Sequence, residues 1–178
     1  MTYRMPEEMH TPRCVMRRAQ IVDAEEIFEA YATDAAVTRF LGWRPHSAVN
    51  DTQRFLRLVD IEWQDNRGSA FVIRGLQERL LGMMHAHVSN LGVSFGYVLR
   101  RDIWGQGIAS EALRTLVEHA LLDPSVYRTF AFCDVENLAS TRVMEKAGMQ
   151  REGVLRRYFV HPNISHEPRD CFIYARVR

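Results

Sequence analysis

The sequence has three cysteines, a single lysine and no long apolar run. The lack of an apolar run and the small number of cysteines argue against a membrane-spanning protein and a disulfide-rich protein. No stretch of about 18 or more apolar residues occurs among its 178 residues, so a membrane-spanning helix is not expected. Cys14, Cys133 and Cys171 are odd in number, far apart and set among apolar residues. This usage indicates buried, reduced thiols rather than a disulfide framework or a zinc site.

The net charge and the N-terminal residues argue against a nucleic-acid-binding protein and a secreted protein. The 23 basic and 22 acidic side chains give a formal net charge of +1, which offers no electrostatic case for a nucleic-acid partner. Residues 1–13 contain two prolines, Glu7 and Glu8, and lack the apolar stretch of a signal peptide. We therefore expect a cytoplasmic protein with neither a nucleic-acid nor a membrane partner. The length favours one domain over residues 1–178, with residues 1–12 as a flexible N-terminal extension.

The first part of the chain predicts one strand followed by helices. Residues Arg13–Arg18 are expected to form the strand. Asp23 is a candidate N-cap for a helix over Ala24–Ala32. A second helical stretch follows Asp34, breaks at a Gly-Trp-Arg-Pro run, and resumes from about Asp51 until an Asn-Arg-Gly stop.

The second part predicts strands around two further helices. One helix is opened by Gly105 and ended by Pro124, and the other covers Leu138–Ala147. Turn residues separate the first three strands as in a meander. The predicted strands are 69–74, 79–89, 93–99, 127–133, 149–161 and 169–177. This order of elements predicts one α/β (α+β) domain.

A loop with two glycines joins a predicted strand directly to the amphipathic helix. Gly105 and Gly107 let the backbone turn tightly and leave its N–H groups uncovered. Such groups at a helix N-terminus favour an anion, so a pyrophosphate is the expected ligand; a tight turn without a ligand is the alternative. A dinucleotide-binding fingerprint fits poorly because Ser110 occupies its third glycine position, and no Gly-Lys-Ser/Thr phosphate loop occurs.

The same stretch resembles the cofactor-binding motif of the GNAT superfamily, Gln/Arg-x-x-Gly-x-Gly/Ala. Trp104 stands where Gln or Arg is usual, and Gly105, Gly107 and Ala109 follow. The tryptophan, the Gly-x-Gly and a later Glu-Ala resemble the Rim-type branch, which acetylates the N-termini of ribosomal proteins. The resemblance covers nearly the whole chain. Its pieces are Phe40–Trp43, Phe95–Leu99, Gly105–Ala112, Asn137, Ser140, Gly148–Met149, Glu152–Arg156 and the strand with Asp170.

The resemblance implies a fold and an activity. The fold is a single GNAT-like domain whose mixed, mostly antiparallel sheet has a splayed pair of parallel strands and helices on both faces. The activity is transfer of the acetyl group of acetyl-coenzyme A, a co-substrate, to a primary amine, with a protein N-terminal α-amine as the expected acceptor. Two alternatives stay open: a sensor that binds acetyl-coenzyme A without turnover, and an enzyme for small antibiotic-type amines. A homodimer is also compatible, because some relatives pair through sheet edges or C-terminal strands.

The resemblance also implies which residues bind the cofactor. The pantetheine arm would bond along the backbone of Tyr97, Val98 and Leu99, and an N–H near Leu99 would polarise the thioester carbonyl. Asn137 would contact the pantetheine, although an N-cap role explains it equally. Ser140 would protonate the departing thiolate. The N–H groups of Gly105, Gln106, Gly107, Ile108, Ala109 and Ser110 would hold the pyrophosphate, and Trp104 is also expected to bind the cofactor.

The proton acceptor is less obvious. Related enzymes often have a glutamate two residues before the Gly-Tyr pair, and here that position is Ser94, a poor base. His87 could replace it, because a tight even-length turn centred on Asn90 and Leu91 would set His87 across from Ser94 on the same face. His85 shares that face, but two histidines without a third ligand do not predict a metal site. A site without a strong base favours an α-amine of pKa about 7.7–8.0 over a lysine of about 10.4.

Two further features bear on the expected cofactor gap. Arg100 or Arg101 could contact a phosphate, although exposed arginines are more often only solvated. Cys133 lies on the strand beside the gap, but no histidine is tied to it by the sequence. A buried structural thiol and direct attack by the amine are therefore expected, rather than an acetyl-cysteine intermediate.

Overall fold

A computed structural model describes residues 3–75 and 77–178, and an eight-stranded sheet runs through them. Its order is β1-β2-β3-β4-β5-β6-β8-β7, and each neighbouring pair is antiparallel except β5 and β6. The strands are β1 Glu8–His10, β2 Cys14–Arg18, β3 Gly68–Gly75, β4 Leu80–Ser89, β5 Gly92–Leu99, β6 Arg128–Asp134, β7 Gln150–Phe159 and β8 Arg169–Val177. The predicted mixed, mostly antiparallel sheet is confirmed.

Five α-helices occur in the described part of the chain. They are α1 Ala24–Ile27, α2 Ala35–Thr38, α3 Val49–Gln64, α4 Ile108–Leu122 and α5 Leu138–Lys146. A π-helical turn, Phe28–Ala32, extends α1, and single 3₁₀ turns cover Ile21–Asp23 and Arg101–Ile103. Within residues 3–75 and 77–178, none of the helices combines the length and the apolar character that a membrane crossing requires.

The two faces of the sheet pack against different helices. Leu113 and Leu116 of α4 are fully buried on one face together with Phe95 of β5. Leu56 of α3 and Val72 of β3 are buried on the other face. Alternate residues of a strand point to opposite faces, so the central strands contribute to both layers. Burying each of these aliphatic or aromatic side chains stabilises the fold by roughly 1.5–3 kcal/mol.

The N-terminal residues belong to the fold from Tyr3 onward. Tyr3 and Met5 are buried, and Glu8–His10 forms β1, which pairs with β2. Apolar burial and sheet hydrogen bonds therefore offset the entropy lost on ordering this segment. The expected flexible extension over residues 1–12 is wrong for residues 3–12, while residues 1 and 2 lie outside the described part.

Asp23 is buried and its side chain does not cap the helix that begins at Ala24. Its carboxylate accepts hydrogen bonds from the guanidinium groups of Arg17 and Arg74 and from the backbone N–H of Gln20. Burial alone would raise the pKa of Asp23, but these donors outweigh burial and lower it. The side chain thus links β2 and β3 to the turn before α1, which corrects the predicted N-cap.

Candidate functional site

The two parallel strands, β5 and β6, pair only near the start of β5. Val93 is the partner of Thr129, and Ser94 is the partner of Phe130. Beyond these two pairs β5 and β6 separate, while β5 remains paired with β4 up to Leu99. The backbone of β5 over Tyr97, Val98 and Leu99 therefore borders a gap in the sheet, as the resemblance implied.

Side chains from both sides of this gap meet. The hydroxyl oxygen of Tyr97 on β5 lies 2.6 Å from Ser140 Oγ on α5, and the Tyr97 hydroxyl also donates to the Ser140 carbonyl at 3.2 Å. Asn137 Oδ1 accepts from the Ser140 backbone N–H at 3.2 Å, so Asn137 is the N-cap of α5. Cys133 Sγ lies 3.8 Å from the Asn137 carbonyl oxygen. The predicted residues Asn137 and Ser140 therefore lie beside the predicted strand segment.

Burial sets the protonation of the side chains at the gap. Burial raises the pKa of the Tyr97 phenol, so this hydroxyl keeps its proton at neutral pH, although the hydrogen bond with Ser140 opposes the shift. Burial also raises the pKa of the Cys133 thiol to about 11, against the opposing hydrogen bond with Ser140. A neutral thiol is a weak nucleophile, which favours direct attack by the amine over an acetyl-cysteine intermediate.

The two-glycine loop turns the chain into α4 through left-handed backbone conformations. Gly105 has φ +77° and Gly107, the N-cap residue of α4, has φ +81°. The bond from Glu111 N–H to the Gly107 carbonyl, 3.1 Å, begins the helical ladder. The N–H groups of Ile108, Ala109 and Ser110 precede this bond, so they can bind an anion at the positive end of the helix dipole.

Three contacts hold this loop in place. The Trp104 indole N–H donates to the Leu99 carbonyl at 2.9 Å, which ties the loop to the end of β5. The Gln106 side-chain amide donates to the Asp102 carbonyl at 3.3 Å. The guanidinium of Arg13, next to β2, donates to the Gln106 carbonyl at 2.8 Å. The loop is therefore positioned before any ligand binds.

Arg13 was missed by the sequence analysis, which considered two other arginines. Its Nε donates to Glu111 Oε2 of α4 at 2.7 Å, beside the loop. Arg100 instead pairs with Asp102 at 2.7 Å, and Arg101 pairs with Asp34, the N-cap of α2, at 3.1 Å. All three arginines thus have carboxylate partners, and the contact of Arg13 joins the N-terminal segment to the start of α4.

The predicted register of β4 and β5 is confirmed. His87 is directly opposite Ser94, and His85 is opposite Gly96. The two imidazole rings stack with their centroids 3.8 Å apart. His87 is exposed, whereas burial and the neighbouring His87 lower the pKa of His85 to about 3. The two histidines thus lie side by side on the face of the sheet that carries α3.

A carboxylate that the sequence analysis missed joins these histidines. Glu62 Oε2 of α3 lies 3.0 Å from His85 Nε2, and one ligand-type atom from each of Glu62, His85 and His87 lies within 4.8 Å of the other two. The helical period that buries Leu56 and Val59 brings Glu62 next onto the inward stripe of α3. This signal is present in the sequence, but only the packing of α3 on β4 reveals the partner.

Comparisons with known proteins now identify the family. A family model described as an acetyltransferase (GNAT) domain matches residues 13–150. The chain belongs to the GNAT acetyltransferase family. YoaA, an uncharacterized N-acetyltransferase of Bacillus subtilis (strain 168), is 28% identical over 174 residues, 96% of each chain. This GNAT protein is accordingly an acetyl-coenzyme A-dependent N-acetyltransferase.

Solved structures share the fold of this transferase. A GNAT-family acetyltransferase from Bacillus anthracis is 25% identical and superposes with a TM-score of 0.82, covering 96% of this chain and 98% of that chain. RimL, described as a ribosomal L7/L12 α-N-protein acetyltransferase in complex with coenzyme A, is 20% identical with a TM-score of 0.85 and the same coverage. The resemblance to GNAT and Rim-type enzymes is therefore confirmed at the level of the fold.

Proposed function

We propose that this transferase acetylates the α-amine of a protein N-terminus by direct attack on acetyl-coenzyme A. The observation that carries the proposal is the hydroxyl pair of Tyr97 and Ser140 at the gap between β5 and β6. The amine nitrogen forms a bond to the thioester carbon, the tetrahedral intermediate loses its C–S bond, and coenzyme A leaves as a thiolate. RimL, which shares the fold, is described as an α-N-protein acetyltransferase.

Acetyl-coenzyme A is held mainly by backbone groups. The pantetheine arm lies along Tyr97, Val98 and Leu99 at the gap, with Asn137 on its other side. The pyrophosphate binds at the loop and first turn of α4, where peptide N–H groups precede the helical ladder. This site comprises Gly105, Gly107, Ile108, Ala109 and Ser110, and it is flanked by Trp104 and Gln106, whose N–H groups already donate to the Arg101 and Ile103 carbonyls. RimL, which has the same fold, is described in complex with coenzyme A.

The thioester carbonyl is polarised by a backbone N–H of β5 near Leu99. Negative charge develops on that oxygen as the tetrahedral intermediate forms. A fixed N–H donor at such an oxygen contributes about 2.7–4 kcal/mol in acyl-transfer enzymes. The rigid pairing of β5 with β4 keeps this donor in place.

The leaving thiolate receives its proton from Ser140. Its Oγ lies 2.6 Å from the Tyr97 hydroxyl, and burial keeps that phenol protonated. Ser140 gives its proton to the sulfur while the Tyr97 hydroxyl, which keeps its own proton, stabilises the serine oxygen by a hydrogen bond, and a proton from solvent then restores the Ser140 hydroxyl. A general acid of this kind typically accelerates the step by about 10²–10⁴-fold.

The amine loses its proton to His87. This imidazole is exposed and lies opposite Ser94, where related enzymes often carry a glutamate. An α-amine of pKa about 7.7–8.0 is roughly a tenth neutral at pH 7, whereas a lysine of about 10.4 is almost wholly protonated. An imidazole is therefore a sufficient acceptor for an N-terminal amine and a poor one for lysine.

Two peptides of equal length test the acceptor. One has a free N-terminus and no lysine, and the other has a blocked N-terminus and one lysine. Because the neutral fractions of the two amines differ by a factor on the order of a hundred, we expect much faster release of coenzyme A with the first peptide. A marked preference for the lysine peptide would contradict the proposal, and no release with any amine would favour a sensor without turnover.

A further inference from the structure

Three ligand-type side chains meet on the face of the sheet beneath α3. Glu62 comes from α3, and His85 and His87 come from β4. We propose that these three residues form a binding site for one divalent transition-metal ion of the zinc type. We call them the His-Glu cluster.

The spacing of the ligand atoms suits such an ion. Glu62 Oε2 and His85 Nε2 are 3.0 Å apart, and all three ligand atoms lie within 4.8 Å of one another. Atoms bound at about 2.0–2.1 Å to one tetrahedral ion are roughly 3.3 Å apart. Binding of one ion would therefore require the ligand atoms to move closer by up to about 1.5 Å, a distance that the exposed His87 is freest to supply.

Two atoms of the cluster lack the partners that buried polar atoms normally have. Glu62 Oε2 and His85 Nε2 are both buried, and neither makes a hydrogen bond of acceptable geometry with another described residue. An unsatisfied buried polar group costs about 1–3 kcal/mol. The buried carboxylates of Asp23 and Asp134, by contrast, accept hydrogen bonds from arginines. Their own 3.0 Å contact lacks hydrogen-bond geometry, and a bound cation would satisfy both atoms.

The surrounding backbone leaves room for the cluster and keeps it in position. At Gly68, the first residue of β3, a Cβ atom would lie 2.9 Å from Glu62 Oε2 and 3.0 Å from His85 Nε2. The absence of a side chain there lets the carboxylate and the imidazole approach each other. His85 and His87 lie two residues apart on one strand, so both rings project from the same face.

The donor set indicates the class of ion. Two imidazoles and one carboxylate are typical zinc ligands, whereas calcium and magnesium prefer oxygen ligands. His87 is exposed, so solvent reaches the cluster from that side. Opposite His85, a Cβ at Gly96 would meet no atom within 4 Å. Three protein ligands with one open position can accept a water or another small ligand from solvent.

Titration of the metal-stripped full chain with Co²⁺ and Zn²⁺ tests the site. We expect one ion per chain by calorimetry and visible Co²⁺ bands typical of four-coordinate geometry. Glu62→Gln, His85→Gln and His87→Gln should each weaken binding by at least about tenfold. His166→Gln, which removes an exposed histidine outside the cluster, is the matched control and should bind like the unaltered protein.

Either the unaltered protein or the variants can overturn the proposal. Absence of one-to-one binding would do so, as would cluster variants that bind as tightly as His166→Gln. Circular dichroism verifies that each variant is folded. Where a variant is not, paramagnetic shifts of the His85 and His87 ring signals with Co²⁺ identify the ligands, and unshifted rings would reject the site. None of these measurements uses acetyl-coenzyme A or an acceptor, so failure of the metal site is distinguishable from failure of the proposed acetyl transfer.

Discussion

The hydroxyl oxygen of Tyr97 lies 2.6 Å from Ser140 Oγ, and this contact joins β5 to α5 beside the gap in the sheet. Ser140 is held in turn by its backbone bond to Asn137 Oδ1. The two hydroxyls therefore have a fixed relation before coenzyme A binds. Such preorganisation is what an acid catalyst for the leaving thiolate requires.

Removing the Ser140 hydroxyl should slow turnover while leaving cofactor binding nearly unchanged. For Ser140→Ala we expect kcat to fall by about 10²–10⁴-fold, because the thiolate loses its proton donor. Coenzyme A affinity by calorimetry should change little, since the pyrophosphate site is untouched. Tyr97→Phe, which keeps the ring, should give a smaller loss. A large loss of coenzyme A affinity with normal kcat would contradict the acid role.

Gly107 should be sensitive to the addition of a single methyl group. At φ +81° a non-glycine residue costs roughly 1–2 kcal/mol, and relief of that strain would move the N–H groups at the start of α4. Gly107→Ala should therefore weaken coenzyme A binding by about tenfold in calorimetry. Gly153→Ala on β7 is the control, because a Cβ there meets no atom within 4 Å. Equal affinities in the two variants would exclude a phosphate role for the loop.

Acid should destabilise the fold in part through Asp23. Its pKa is lower in the folded than in the unfolded state, so the stability that it contributes is complete above its unfolded value of about 3.9. That stability is lost as the pH falls through the lower folded value. At pH 7, Asp23→Asn should reduce the free energy of unfolding by about 1.5–3 kcal/mol. When the urea midpoint is measured at a series of pH values, the variant should also lose less stability than the unaltered protein as the pH falls.

Asp65→Asn provides the matched control for that experiment. Asp65 pairs with Arg67 at the surface, and both side chains are exposed. Surface pairs of this kind contribute little to stability. We expect the urea midpoint of this variant to stay close to that of the unaltered protein. Identical midpoints for Asp23→Asn and Asp65→Asn at pH 7 would show that the buried carboxylate contributes no more to stability than the exposed one, and would contradict the prediction.

Zinc should inhibit acetyl transfer if both the His-Glu cluster and the proton acceptor are assigned correctly. A ring nitrogen of His87 that binds a metal cannot take a proton from the amine. Added Zn²⁺ should therefore slow release of coenzyme A, and a chelator should restore the rate. The rate of Glu62→Gln, compared with its own rate without zinc, should be much less sensitive to the ion. Equal inhibition of both proteins would place the inhibitory zinc elsewhere.

Local signals allowed much of the fold and part of the site to be predicted. The pairing of His87 with Ser94 follows from a short turn and strand alternation, and both are visible in sequence. Glu62 could not be paired with His85 in this way, because the contact depends on how α3 docks across the sheet. The same holds for Arg13, whose partner Glu111 lies far along the chain.

The N-terminal segment is a place where the prediction from the sequence failed. Residues 1–12 were expected to form a flexible extension, yet Tyr3 and Met5 are buried. Burial of a few apolar side chains orders this segment, and the surface against which they pack is formed by residues distant in the sequence. The acceptor, the residue roles and a homodimer stay predictions, since each needs a bound molecule or a second chain.

Trp104 gives this transferase a built-in optical reporter. The residue is 48% exposed, and its indole N–H donates to the Leu99 carbonyl at the end of β5. A ligand at the neighbouring loop would change the polarity around that ring and hence its fluorescence. Coenzyme A uptake could then be followed in unlabelled protein, and Trp104→Phe would separate this signal from the emission of Trp43 and Trp63.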